Sequence, residues 1–138
     1  MTPEAASALV ESFWREVWAA CNPSAADRFV TEDFVITSAG VDVAGRETFK
    51  AWVAGFQSNI ADLTWETIET FASADGLRVS SRFRITGRNN GMFGLPADGK
   101  PVALTGNAIL AVTPAGKLAH NWVERSAWEL YNHLKPRD

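Results

Sequence analysis

Near Thr64 the spacing of apolar residues changes from the period of a helix to that of a strand, and this switch limits the fold more than any other feature. Before it, Leu9, Val10, Phe13, Trp14, Val17 and Trp18 recur at steps of three and four, as do Phe49, Trp52, Val53 and Phe56. After it, the pattern is that of strands over Trp65–Phe71, Leu77–Thr86, Val102–Val112 and Leu118–Leu130. Ala74-Asp75-Gly76, the loop RNNGMFGLPADGKP and Pro114-Ala115-Gly116 separate them. Two shorter strands are expected over 33–40 and 41–44. Helices first and strands after predict an α+β domain. The four-strand antiparallel meander can curl into a cone-shaped sheet with the N-terminal helices packed across its concave side. Such a cone has a blind interior suited to a ligand. A length of 138 residues, without repeats or a linker, fits one domain over 1–138.

Local signals set the helix ends. Thr2-Pro3-Glu4 offers a hydroxyl cap, a proline at the first helical position and an acid in the first turn. Asn22-Pro23 stops that helix, and Ser24 caps a short one over 25–30. Gly45-Arg46-Glu47 opens the next, which frays near Asn59.

Composition excludes several roles. Net charge is −3 and no basic block appears, which argues against nucleic acid as a partner. No stretch approaches the ~20 apolar residues of a membrane span, and MTPEAAS has neither the cationic start nor the apolar run of a signal peptide. One cysteine, Cys21, allows no intrachain disulfide; it reads as a packed thiol and fits a cytoplasmic location. No Cys/His cluster or acidic triad points to a metal, and no motif points to a cofactor. Six tryptophans and eight phenylalanines against one tyrosine either fill a core or line a pocket for an apolar ligand. Trp14, Trp18, Trp52, Phe56, Met92 and Phe93 are placed to line the cone, with the loop at 91–96 over its mouth.

The last strand, LAHNWVERSAW, alternates between two different faces. One carries His120, Trp122 and Glu124; the other carries Ala119, Asn121, Val123 and Arg125. Alternation alone does not say which looks inward, and a one-residue slip exchanges them. If His120 and Glu124 faced the interior they would form a base and its orienting acid.

GRETFKAWVAGF, the hairpin RVSSRFRITGRNNGMFGLPADGKPVALTGNAIL and the tail GKLAHNWVERSAWELYNHL together resemble the SnoaL-like polyketide cyclases, within the nuclear transport factor two-like superfamily. The resemblance implies the cone fold and runs through nearly the whole chain in element order. It also implies that the family's usual acid on the last strand falls at Val123, so that Asn121, Val123 and Arg125 look inward and His120, Trp122 and Glu124 look outward, toward a dimer contact. By the same comparison Arg82 and Arg84, with Ser80 and Thr86, face the interior. So do Thr105, Asn107 and Ile109 on the next strand, and Val35 and Thr37 on the short one. Asn121, Asn107 and Thr37 stand where family members carry histidine.

These placements give a set of expected roles. Arg82 stabilises developing negative charge, Asn107 and Asn121 orient a carbonyl or a water, and Arg84, Thr37 and Val123 complete the ligand site. The implied function is a cofactor-independent cyclase, isomerase or lyase acting on an apolar or polycyclic carbonyl compound, working as a homodimer. A non-catalytic binding or dimerisation module of the same fold is the main alternative. An epoxide hydrolase is a third, which the missing acids disfavour.

Overall fold

The computed structural model describes residues 1–137. Helix α1 spans Pro3–Phe13, and the Ala5 amide donates to Thr2 Oγ1 at 3.0 Å, as the cap signal requires. Its buried stripe is Ala6, Val10 and Phe13. The chain then widens into a π-helix over Trp14–Ala19, where the Ala20 and Asn22 amides donate five residues back to Arg15 and Val17. The wider turn keeps Trp14, Val17 and Trp18 on the buried side. It ends at Cys21, whose φ is 49°. That residue is exposed, which corrects the expectation of a packed thiol. A 3-10 turn over Pro23–Arg28 leads into β1, so Val30 is strand and not helix.

β1 (Val30–Ser38) and β2 (Val41–Ala44) form a hairpin, followed by α2 (Arg46–Ser58). The meander is β3 (Ile60–Ala72), β4 (Arg78–Asn89), β5 (Pro101–Val112) and β6 (Leu118–Arg125). Together they make one six-stranded sheet in the order β2-β1-β6-β5-β4-β3, with β1 parallel to β6 and every other pair antiparallel. Register shifts between Ala61 and Thr64 and between Thr67 and Glu69 bend β3, as bulges do, and help curl the sheet around the helices. The buried face is Phe34 and Ile36 on β1, Val79, Ser81, Phe83 and Ile85 on β4, Val102, Leu104, Ala108 and Leu110 on β5, and Asn121 and Val123 on β6.

Two details of the C-terminal half depart from expectation. The final strand stops at Arg125, and α3 (Ala127–Leu134) follows in place of a strand running to Leu130. Ser126 makes the break: its amide donates to Thr105 O at 2.9 Å and its Oγ accepts from the Thr105 amide at 3.0 Å, after which the chain turns helical. Leu130 and Leu134 then bury at helical spacing. The loop before β5 is tied to Asn89, a buried amide with four partners. Its Nδ2 donates to Pro96 O and Asp98 Oδ1, and its Oδ1 accepts from the Gly91 and Met92 amides. Met92 is thereby driven into the core, as expected of a cone-lining residue. Phe93 is not: with φ at 59° it points outward, edge-on to Tyr131 at 5.6 Å.

Candidate functional site

The concave side is filled with rings. Trp65 stacks on Phe83 at 4.2 Å and meets Trp14 at 4.8 Å and Trp18 at 5.4 Å. Trp18 stands edge-on to Phe56 and Trp52 at 5.5 and 6.3 Å. Trp14, Trp18, Trp52 and Phe56 therefore gather as the sequence suggests. Trp14 is a satisfied core residue, because its Nε1 donates to Ser81 Oγ at 2.9 Å and Ser81 is bonded in turn to Thr70. Trp18 is different: its Nε1 is buried with no acceptor.

Beside these rings lies Arg125, at the end of β6. Its Cζ sits 5.2 Å from the ring centre of Trp52 and 5.3 Å from that of Phe56, the cation–π arrangement. Its Nη1 donates to Ser38 Oγ at 3.1 Å, and its Nε is sealed from solvent with no partner. No carboxylate among the described residues pairs with it. Burial pushes its pKa down to about 10, against a weaker upward pull from Glu124. Four residues back on the same strand, Asn121 is 2% exposed and its Oδ1 lacks a donor. Val123 lies between them, buried on the same face. Trp52 and Phe56 also border an open depression of about 450 Å³ on the surface of α2, with Gly55 and Asn59. The same two rings thus face both Arg125 and the outside.

The orientation of β6 is as expected: Asn121 and Val123 look inward, Trp122 and Glu124 outward. The other strands correct the expectation. Arg82 is 54% exposed and its Nε donates to Glu69 Oε1 at 2.9 Å on the convex face. Arg84, Asn107, Thr105 and Ile109 are exposed on that face too, and Ser80 and Thr86 alternate with its buried neighbours. The reason is parity. Val79, Phe83 and Ile85 take the concave face of β4, and Leu104, Ala108 and Leu110 that of β5, so every residue between them must point away. Arg82→Ala is therefore expected to change stability by less than about 1 kcal/mol, as for an exposed ion pair, and to leave ligand affinity unchanged; urea unfolding and a binding titration check both.

Thr37 and Val35 also sit on the convex side, where Thr37 belongs to a relay. Its Oγ1 donates to Asp42 Oδ1 at 2.6 Å and accepts from His120 Nε2 at 2.8 Å. The imidazole is stacked on Trp122 at 3.9 Å. Burial holds the His120 pKa below its ordinary value; Asp42 opposes this and Arg78 adds to it. The unfolded chain then binds the proton more readily than the folded one. Stability from this residue is full above an unfolded value of about 6.5 and falls as pH drops from there through the lower folded value. Comparing urea unfolding of the wild type and His120→Gln at pH 7.5 and 5.5 should show a smaller pH loss in the variant.

Arg125 faces inward as the resemblance implies, but the resemblance assigns it no role. Its signal was present: a cation on the same face as Asn121 and Val123. Among the described residues no three His, Cys, Asp or Glu side chains gather as metal ligands would, and no helix is long and apolar enough to cross a membrane.

Comparison with known proteins agrees with this architecture. A protein from Jannaschia sp. CCS1 described as a SnoaL-like polyketide cyclase superposes with a TM-score of 0.88 at 16% identity, over 99% of this chain and 95% of that one. A protein from Xanthomonas campestris described as a polyketide cyclase gives 0.85 at 21%, over 96% and 98%. An LEH-like epoxide hydrolase from M. tuberculosis gives 0.72 at 14%, over 97% and 89%. At these identities the likeness is one of fold. Comparison with curated proteins finds no match. The SnoaL-like polyketide cyclase profile matches residues 8–133, and the chain belongs to that family.

Proposed function

We propose that this chain is a small-molecule-binding SnoaL-like protein that grips an electron-rich oxygen of an apolar ligand with Arg125. The observation that carries this is a guanidinium set against aromatic faces with no protein acid beside it among the described residues. Buried arginines ordinarily have an anionic or multiply accepting partner, and here a ligand supplies it. Asn121 offers an acceptor farther along the strand, and Trp52, Phe56 and Trp18 form the apolar walls.

Catalysis of the cyclase or isomerase type is the second reading. It is favoured by the same unused donor, which would stabilise an enolate or oxyanion as charge develops. The concave faces of β1, β4, β5 and β6 present no carboxylate or histidine among the described residues, so proton transfer would fall to the substrate or to solvent. Epoxide hydrolysis, which needs an acid and a base at the reacting centre, fits this face least.

The test is a panel of polycyclic ketones and aromatic acids, scored by shift in melting temperature and by product formation. Ligands should raise the melting temperature of the wild type and not of Arg125→Ala. A panel that stabilises both proteins equally would sink the reading. Product formed by the wild type and lost in Arg125→Ala would promote the second reading over the first.

We also propose a homodimer through the convex face. Phe71, Ile109 and Trp122 are exposed large apolar residues there, bordering a groove of about 560 Å³ with Arg82. Glu124 and Arg84 lie on this face with no ion pair among the described residues, and a two-fold contact would let each meet the other's copy. Trp122→Asp should convert a dimer to a monomer in sedimentation equilibrium without changing ligand affinity.

A further inference from the structure

The Arg125 site has unmet donors in excess of unmet acceptors. Among the described residues Arg125 Nε and Trp18 Nε1 are buried and have no acceptor, whereas on the Arg125 face of β6 Asn121 Oδ1 is a buried acceptor without a donor. Among the described residues, the one side-chain oxygen the guanidinium reaches belongs to Ser38, a neutral hydroxyl. The surfaces around it are π faces, with Trp52 and Phe56 against the guanidinium and Trp18 edge-on to both.

From this we propose that the site selects a flat aromatic carboxylate over the corresponding neutral ester, an inference that rests on Arg125 being the ligand's partner. A carboxylate brings the negative charge that the concave face lacks, and two acceptor oxygens that match the planar fork of a guanidinium. An ester brings acceptors without the charge. The ring of the acid packs beside those of Trp52 and Phe56. Entry is from the α2 side, because Trp52 and Phe56 border the open depression there and are half-buried.

Calorimetric titration with 2-naphthoate and with methyl 2-naphthoate at pH 7.5, in buffers with and without chloride, tests the selection. The wild type should bind the acid about tenfold or more tightly than the ester, as a charge-assisted contact in a desolvated site requires. In Arg125→Met the two affinities should converge. Arg125→Lys, which keeps the charge and loses the fork, should fall between and decides the matter if the methionine variant does not fold. If ester and acid bind alike, and Arg125→Met weakens both, the carboxylate inference fails while the site stands. If the acid is preferred equally in all three proteins, its charge is met elsewhere and the inference fails. Abolition of the preference by chloride alone would identify the site as one for a small inorganic anion, which also overturns it. If neither compound binds the wild type, the reading of Arg125 as a ligand partner falls with it.

Discussion

Arg125→Met is expected to keep or raise the melting temperature of the free protein while removing affinity for its ligand. The two halves of this result have one cause. Without a ligand, Arg125 holds a charge against aromatic rings with its Nε unpaired, and burial already pulls its pKa down to about 10. Its compensations are one hydrogen bond to Ser38 and the faces of Trp52 and Phe56. A hydrogen bond contributes about 0.5–1.5 kcal/mol net, and a cation–π contact about 0.5–2 kcal/mol. Methionine keeps much of the volume and removes the desolvated charge. Replacement of buried charge by apolar side chains is often neutral or stabilising by about 1–4 kcal/mol. A structural arginine would behave in the opposite way, and its loss would cost about 3–5 kcal/mol by orphaning a buried partner. Thermal and urea unfolding of wild type and variant decide between them: a loss of more than about 3 kcal/mol would make Arg125 part of the scaffold. A gain in stability paired with lost binding is the trade expected of a site that stores unmet polar groups for a ligand.

The fold was legible because its signals are periodic. The three-and-four spacing of Val10, Phe13, Trp14 and Val17 survives even where the helix widens to a π turn, since the same residues stay buried. The meander could be read from its turns. What failed was the facing of β4 and β5. Each alternates Val79-Ser81-Phe83-Ile85 against Ser80-Arg82-Arg84-Thr86, or Leu104-Gly106-Ala108-Leu110 against Thr105-Asn107-Ile109. The apolar set belongs to the core by the burial of hydrocarbon alone. Placing polar side chains inward by analogy with an active site reversed both strands at once, because parity allows only two answers. On β6 the analogy and the packing agreed, since Val123 is the apolar member of its face. The helix α3 was hidden for a different reason. Its boundary is set by Ser126 pairing with Thr105 across the sheet, a long-range contact that no local pattern announces.

The resemblance turns Arg125 inward but gives it no role, because an arginine at the last position of a strand is ordinarily solvated. Its burial comes from α2, which lays Trp52 and Phe56 over the strand end, and from Ser38 on the neighbouring β1. With the π-helix that carries Trp18, four separate elements make the site, and none contains more than a fragment of its chemistry. The polar atoms left without partners locate it better than any motif does. Native interiors rarely leave buried donors unused, and here Arg125 and Trp18 on the same aromatic cluster both do so.

Gly106→Ala is expected to destabilise the protein by about 1–3 kcal/mol, the usual result of overpacking. Gly106 lies opposite Phe83 in the β4–β5 ladder, and the phenyl ring occupies the space a side chain would need. A Cβ at Gly106 would sit 2.3 Å from Phe83 Cζ, closer than any real contact. The ring cannot simply swing away, since it is stacked on Trp65 at 4.2 Å and tilted against Trp14 at 5.6 Å. The strain therefore passes into the same aromatic cluster that walls the Arg125 site through Trp18. A smaller residue at Phe83 should relieve the clash and still leave a void. Phe83→Leu alone is destabilising, and the double variant Gly106→Ala/Phe83→Leu should lose less than the sum of the two single losses, the mark of residues in direct contact. Urea unfolding of the four proteins measures that coupling. Strict additivity, or a Gly106→Ala protein as stable as the wild type, would mean that Phe83 has room to move and that the cluster is looser than its geometry implies. A positive coupling would tie the packing of β4 and β5 to the shape of the site. Gly106→Ala should then also weaken ligand binding, although its nearest neighbour is a core ring and not the guanidinium.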